Sequence, residues 1–372
     1  MAALPGINFV GHLRSEKGVA EAARNLIRAC QAAEVPVTAN DFPDTGSTNA
    51  VAPLGLPTGF PYPITVFAVN PDTHAALGRF VDLARLRQNR YTVGSWYWEL
   101  PNLPAAWQSH FALVNEVWVG SAFTQAAVSR VSPVPVVCIP PALEAEPHIG
   151  TLSRAQLGLP ADAFVVLFVF DAMSTLARKN PYALIRAFRA AFPGEADVRL
   201  VLKASRLAAS PERATLCEAI GSDARVVLLD GVLPRENVQA LLNLADCYAS
   251  LHRCEGFGLT LAESMRLGKP VVATAYSGNL DFMTPRNSLG VGYSLVPLAQ
   301  NYGPYEAGQL WAEPDEADAA EKLRWVYRNR SAAATMAARG RADILAAYTH
   351  KKIGARVVER LHAITRWHGR AV

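Results

Sequence analysis

HRCEGFGLTLAESMRLGKPVVAT, residues 252–274, is the stretch whose reading decides the fold. It sets two carboxylates, Glu255 and Glu263, eight positions apart around a Gly-Phe-Gly turn. One apolar run, 241–251 (LLNLADCYASL), leads into the turn, and another, 271–273, leaves it. Gly256 and Gly258 lack a Cβ where the backbone must bend or approach a ligand closely. The residues that follow predict a helix over 260–267, stopped by Gly268 as a left-handed cap and by Pro270 beyond it. The amides of Phe257, Gly258 and Leu259 then open that helix, where the positive end of its dipole favours a phosphate. Glu255 precedes this pocket and Glu263 returns to it about one turn into the helix.

Outward from this stretch, strand-like apolar runs alternate with helical patterns, the mark of parallel sheets with helices on both faces. Predicted strands at 6–11, 64–70, 91–98, 115–120 and 134–139, with a helix over 19–33, make a first half. After Pro140-Pro141 and a polar stretch to Thr151, a second series opens at 163–171 (AFVVLFVFD). It continues at 198–203, 225–229, 247–251 and 271–274, with helices near 180–192, 211–221, 235–245 and 260–267. The regions 314–348 and 353–367 read as helical. Residues 42–63 hold five prolines, too irregular for a packed element; a loop of that length is a functional flap or a mobile segment.

The spacing Glu-Gly-Phe-Gly-Leu, four residues, Glu, four residues, Gly-x-Pro-Val-Val-Ala-Thr closely resembles the donor-site signature of retaining GT-B glycosyltransferases of family 4. Here it is carried by Glu255 to Leu259, Glu263, Gly268, Pro270 and residues 271–274. The resemblance implies an α/β fold of two doubly wound Rossmann-like domains with a cleft between them. The expected division is 1–148 for the acceptor side, 149–350 for the nucleotide sugar, and a final helix, 351–372, crossing back to the first domain. It further implies transfer of a hexose from a nucleotide diphosphate sugar to a hydroxyl, with retention at the anomeric carbon. In that reading Glu255 binds the sugar, Glu263 holds the ribose, and Gly256, Phe257, Gly258 and Leu259 form the phosphate turn.

Other positions follow from the same resemblance. Family members place Gly-Arg-x4-Lys-Gly after the first strand of the second domain. This chain departs from it, with Phe170-Asp171 and Lys179-Asn180 at those places. Lys179 is the carried-over cation, and Arg178 stands in for the missing arginine. Asp230-Gly231-Val232-Leu233 resembles the base-binding turn, and Lys203 ends a strand on the same edge. His252 reads equally as a substrate contact or a buried structural group, and Gly278 and Asn279 fall in a loop expected near the sugar. In the first half, Gly18 ends a loop that relatives keep rich in glycine. Trp98 and Glu99 occupy the place of a His-Asp pair, where an aromatic beside a carboxylate suits an acceptor sugar; the same cluster reads equally as core packing.

Composition narrows the rest. The 372 residues are 51% hydrophobic, enough for two domains. No run approaches a membrane span, and the N-terminus lacks the pattern of a signal peptide. Five scattered cysteines without zinc spacing suit a reduced, cytoplasmic protein. A net charge of +4 gives no sign of a nucleic-acid binder. Residues 1–150 carry nine Lys/Arg against eleven Asp/Glu and the remainder 27 against 21, so the basic surplus lies in the donor half. The absence of an Asp-x-Asp at a strand end leads to the expectation of no metal and no further cofactor. Polysaccharide biosynthesis, on a glycan or lipid-linked acceptor, is the expected setting; a lipid-linked acceptor would bring the protein peripherally to the inner membrane. Two rivals remain. One is a non-catalytic sugar-nucleotide-binding regulatory subunit of the same fold. The other is a dinucleotide-dependent epimerase or dehydrogenase, which would need a Gly-x-Gly-x-x-Gly after strand one that this chain lacks.

Overall fold

The computed structural model describes residues 4–44, 46–88 and 90–368. The chain divides into two compact units. One holds the described residues up to Ala145 and those from Ala346 onward; the other is Glu146–Leu345.

The first unit is built on a parallel sheet of β1 (Ile7–Gly11), β2 (Val37–Asp41), β3 (Ile64–Ala68), β4 (Tyr91–Trp96), β5 (Glu116–Val119) and β6 (Val136–Cys138). Their order is β2-β1-β3-β4-β5-β6. β1 and β3 are buried along their whole length, as parallel strands covered on both faces must be. β2 was not predicted, because its sequence, VTAND, is short and polar. Its side chains are nonetheless used. Thr38 Oγ1 (2.8 Å) and Asn40 Nδ2 (3.0 Å) both donate to the Gly59 carbonyl. These bonds fasten the irregular segment 42–63, which is tied further by Lys17 and Ser15 to Asp44 and by Arg14 Nε to the Val51 carbonyl.

The helix His350–His368 belongs to this unit and packs on the helix Gly18–Ala32. The approach is so close at Gly354 that an added Cβ would lie 2.3 Å from the Ala29 carbonyl oxygen. Arg360 pairs with the fully buried carboxylate of Glu116 on β5.

The second unit repeats the plan with β7 (Phe164–Asp171), β8 (Val198–Ser205), β9 (Val226–Asp230), β10 (Cys247–Ser250), β11 (Val271–Thr274) and β12 (Leu289–Val291). The order β12-β11-β10-β7-β8-β9 reverses direction between β7 and β10, the switch point at which such sheets bind ligands. Tyr248 of β10 bridges that junction, its hydroxyl donating to the Val169 carbonyl (3.2 Å) and lying 2.7 Å from Thr260 Oγ1. The helices Pro181–Ala191, Arg213–Ile220, Arg235–Leu244 and Leu259–Arg266 lie within two residues of their predicted bounds. Predicted helix 314–348 is two helices, Glu316–Arg328 and Arg330–Ala347, broken at Asn329. An antiparallel hairpin of β13 (Tyr293–Pro297) and β14 (Leu310–Pro314) was not predicted. No described helix is long and apolar enough to cross a membrane.

Alanine favours helices over glycine by roughly 1 kcal/mol, whereas overpacking costs roughly 1–3 kcal/mol. Gly354→Ala is therefore expected to lower the thermal midpoint by several degrees in a melting experiment. A raised midpoint would mean that the two helices do not pack this closely.

Candidate active site

The site forms where β7 and β10 part. After β7 the chain makes a single helical turn, Leu176–Lys179, bracketed by Thr175 (φ 67°) and Asn180 (φ 52°), both in the left-handed region. Asn180 Oδ1 then caps the next helix by accepting from the Ala183 amide (3.3 Å). Two reversals within six residues bring Arg178 and Lys179 back toward β10. From β10, the Arg253 amide donates to the Arg178 carbonyl (2.8 Å) and locks the two segments together. A hairpin strand supports them from behind. Arg253 lies over the Trp311 ring (5.1 Å to its centre) and pairs with Glu313, while the Ala312 amide donates to the Arg253 carbonyl (3.0 Å).

Glu255 is the focus of this frame. Lys179 Nζ donates to its Oε1, and Arg178 Nη1 stands 3.5 Å from its Oε2 while donating to the Cys254 carbonyl (3.1 Å). Burial pushes the Glu255 carboxyl up, but Lys179 foremost, then Arg178 and His252, outweigh it and hold the group at about 2. The Glu255 amide donates to Ser277 Oγ (2.7 Å), and its carbonyl accepts from the Gly278 amide (2.9 Å). Gly278 passes so near that a Cβ there would lie 2.3 Å from the Gly256 carbonyl oxygen. That contact explains the glycine.

His252 is wholly buried, with Nδ1 at 3.1 Å from Ser250 Oγ and Nε2 at 3.1 Å from Asn279 Oδ1. Burial lowers its pKa against the opposing pull of Glu255, and its hydrogen bonds tie the loop after β11 to β10. Gly258 (φ 90°) opens the helix Leu259–Arg266, which Gly268 closes with the paired Schellman bonds from Gly268 to Met265 (2.9 Å) and Lys269 to Ser264 (3.0 Å). Phe257 turns its ring inward onto Phe282 (5.1 Å), leaving only its backbone to a ligand.

One helical turn on, Glu263 is fully buried and meets a residue the sequence reading passed over. Both of its oxygens are engaged by the guanidinium of Arg235. Arg235 follows the turn 230–233 after Pro234 alone, and that proximity is the available signal. In this turn Val232 is 46% exposed and Leu233 half-buried. Lys203, expected beside phosphates, is buried and donates to the Gly231 carbonyl (2.5 Å) and to Ser205 Oγ (3.0 Å). Burial lowers its pKa to about 8. Lys203 therefore shapes the turn from beneath. Asp171, at the family's arginine position, pairs with Arg206 at the end of the neighbouring strand.

The first-half residues lie in the other unit. Gly18 begins the helix Gly18–Ala32 with open space around it, and Lys17 is held by Asp44. Trp98 is buried against Trp107 (5.0 Å), its Nε1 donating to the Asn102 carbonyl (2.8 Å), which is core packing. Glu99 beside it is partly exposed. His74 and His110 place their Nδ1 atoms 3.2 Å apart, a pair separated by 36 residues that no local pattern announces. No group of three or more His, Cys, Asp or Glu among the described residues is arranged to hold a metal.

Two doubly wound sheets, the second with a carboxylate and two cations at its switch point, set charged groups where such sheets bind ligands. Residues 151–343, just over half of the chain, match the model of the glycosyl transferases group 1, and the chain belongs to that family. It is 33% identical over 136 residues to the D-inositol 3-phosphate glycosyltransferase 1 of Catenulispora acidiphila, across 34% of this chain and 31% of that protein. In fold it is similar to Anabaena HepE in complex with UDP and glucose (TM-score 0.70, 17% identity, 96% of this chain and 100% of that one). It is similar also to sucrose-phosphate synthase from Thermosynechococcus elongatus (0.70, 18%, 97% and 99%). These structures carry the GT-B fold, which this chain shares.

The Glu255 carboxyl lies at about 2 in the folded protein against an ordinary value of 4.5. A depressed acid contributes stability above its unfolded pKa and loses it as pH falls through the folded one. Wild type should thus be more stable than Glu255→Gln at pH 6, with the gap closing between pH 4.5 and 2 in matched thermal melts. A gap that did not change with pH would show that the cations do not hold this carboxylate ionised.

Proposed function

We propose that the protein transfers a hexose from a nucleotide diphosphate sugar to a hydroxyl of a glycan, lipid-linked or small-molecule acceptor, with retention and without a metal ion. The observation that carries the reading is the Glu255 carboxylate held between Lys179 and Arg178 beside the amides that open the helix Leu259–Arg266. Family membership and fold add to it.

In this reading the donor diphosphate sits at the helix opening, and its oxygens share Lys179 and Arg178 with Glu255. The bond from the anomeric carbon to the phosphate oxygen breaks, and negative charge accumulates on the diphosphate. The cations and the helix dipole stabilise that charge, the part elsewhere played by a divalent metal. The acceptor oxygen bonds to the anomeric carbon on the same face, and its proton passes to the departing phosphate oxygen. No protein base is needed. Glu255 holds sugar hydroxyls and opposes the positive charge on the ring, Glu263 takes the ribose hydroxyls, and Val232 and Leu233 cover the base. Gly18 and Glu99 are assigned to the loops that meet phosphate and acceptor, with Trp98 supporting Glu99 from the core. We place the activity in the cytoplasm, in polysaccharide biosynthesis, peripheral to the inner membrane where the acceptor is lipid-linked.

Loss of one preorganised charge-stabilising donor costs about 10²–10³ in turnover. Lys179→Ala should fall by that order in donor turnover at saturating acceptor with chelator present, and Lys179→Arg should recover only part, since a planar fork cannot occupy the same point. Near-normal turnover of Lys179→Ala, or a wild type silenced by chelator, would overturn the mechanism.

A further inference from the structure

Arg235 has no assigned part in the reaction, yet its guanidinium lies across the carboxylate to which the ribose is assigned. Glu263 has no exposed surface, while the Arg235 side chain is 39% exposed. The pair is thus a buried anion capped by a cation that faces solvent. Nη1 addresses Oε2 at 3.3 Å and Nη2 addresses Oε1, so the fork spans both oxygens. Arg235 is also the first residue of the helix Arg235–Leu244, two positions after Leu233 and directly after Pro234. The turn that covers the base and the cation on the ribose carboxylate are therefore one continuous piece of chain. Lys203 and Arg213 pin its start, through the Gly231 carbonyl and Asp230.

We infer that Arg235 is a specificity-determining residue of the ribose subsite: by supplying Glu263 with a permanent internal partner, it sets how strictly the donor's sugar hydroxyls are required. The inference rests on the proposed ribose role of Glu263. Its physics is the asymmetry of buried polar groups. A buried carboxylate that loses its only donor bears the full cost of desolvation, whereas one that keeps a charged partner does not. With Arg235 in place, a nucleotide lacking the 2′-hydroxyl leaves Glu263 still paired, and the penalty is that of the one lost hydrogen bond. Without Arg235, the ribose hydroxyls become the donors on which Glu263 depends, and their loss is costly. Diphosphate and base are identical in the two ligands, so their interactions with Arg235 cancel in the ratio of affinities.

The test is calorimetric titration of UDP, GDP and ADP, each with its 2′-deoxy counterpart, into wild type, Arg235→Met, Arg235→Lys and Glu263→Gln. Thermal midpoints verify that each variant is folded. For the base that binds, Arg235→Met should raise the ribose-to-deoxyribose affinity ratio by about tenfold or more, the scale of one hydrogen bond to a charged group. Arg235→Lys, which keeps a cation, should stay near wild type. Glu263→Gln should lower the ratio toward one. An unchanged or reduced ratio in Arg235→Met, with the ratio lost in Glu263→Gln, overturns the inference and leaves the ribose role standing. A wild-type ratio in Glu263→Gln overturns the ribose role itself. Should Arg235→Met not fold, a ratio in Arg235→Lys below that of wild type would be the overturning result, and a ratio equal to or above it the supporting one.

Discussion

The site depends on one neutralisation. A carboxylate at the end of a parallel strand, enclosed as Glu255 is, would be driven to take up a proton; Lys179 and Arg178 prevent this. The cations come from the exit of β7 and the carboxylate from that of β10, and the reversal of strand order between these two strands is what makes the exits neighbours. The left-handed residues Thr175 and Asn180 turn the chain back sharply enough for the cations to arrive. The Arg253–Arg178 backbone bond and the β13–β14 hairpin keep them there. Breaking such a buried pair by removing one partner costs about 3–5 kcal/mol, so the frame cannot drift without penalty.

The same logic recurs one helical turn away. Glu263 is an anion with no exposed surface and, among the described residues, one cation spanning its two oxygens. The proposed donor presents matching chemistry: a diphosphate for the cations around Glu255, and ribose hydroxyls for the carboxylate at Glu263. In both subsites the carboxylate is paired without a ligand, so each trades one set of partners for another when the donor enters. Such exchange keeps binding reversible, because the empty site holds no unpaired buried charge.

Much of this was legible in the sequence because it is local. Glu255, Gly258, Gly268 and the helix between them are set by spacing within a few residues, and the Schellman cap falls where Gly-x-Pro predicts it. The apolar run 163–171 marks β7, since a strand buried on both faces carries no alternation. Illegible features are those decided by distant partners. β2 is polar in sequence and becomes a strand only through its register with β1. The hairpin β13–β14 closes over a twelve-residue connection, 298–309, with no tight-turn signal. Lys203 reads as a cation at a strand end, and only the structure shows its ammonium directed under the Gly231 carbonyl. Trp98, read with sugar stacking and core packing both open, is core, because it is buried against Trp107 and its Nε1 donates to the Asn102 carbonyl.

The central claim is that Lys179 and Arg178 are shared between Glu255 and the donor diphosphate. Removing the carboxylate should release both cations to the ligand. Calorimetric affinity for the nucleoside diphosphate in Glu255→Gln, compared with wild type at pH 7, addresses this directly. The account predicts tighter binding of the diphosphate, by about tenfold at the scale of one charge-assisted bond, together with lost hexose transfer. Equal or weaker diphosphate binding in Glu255→Gln would contradict it.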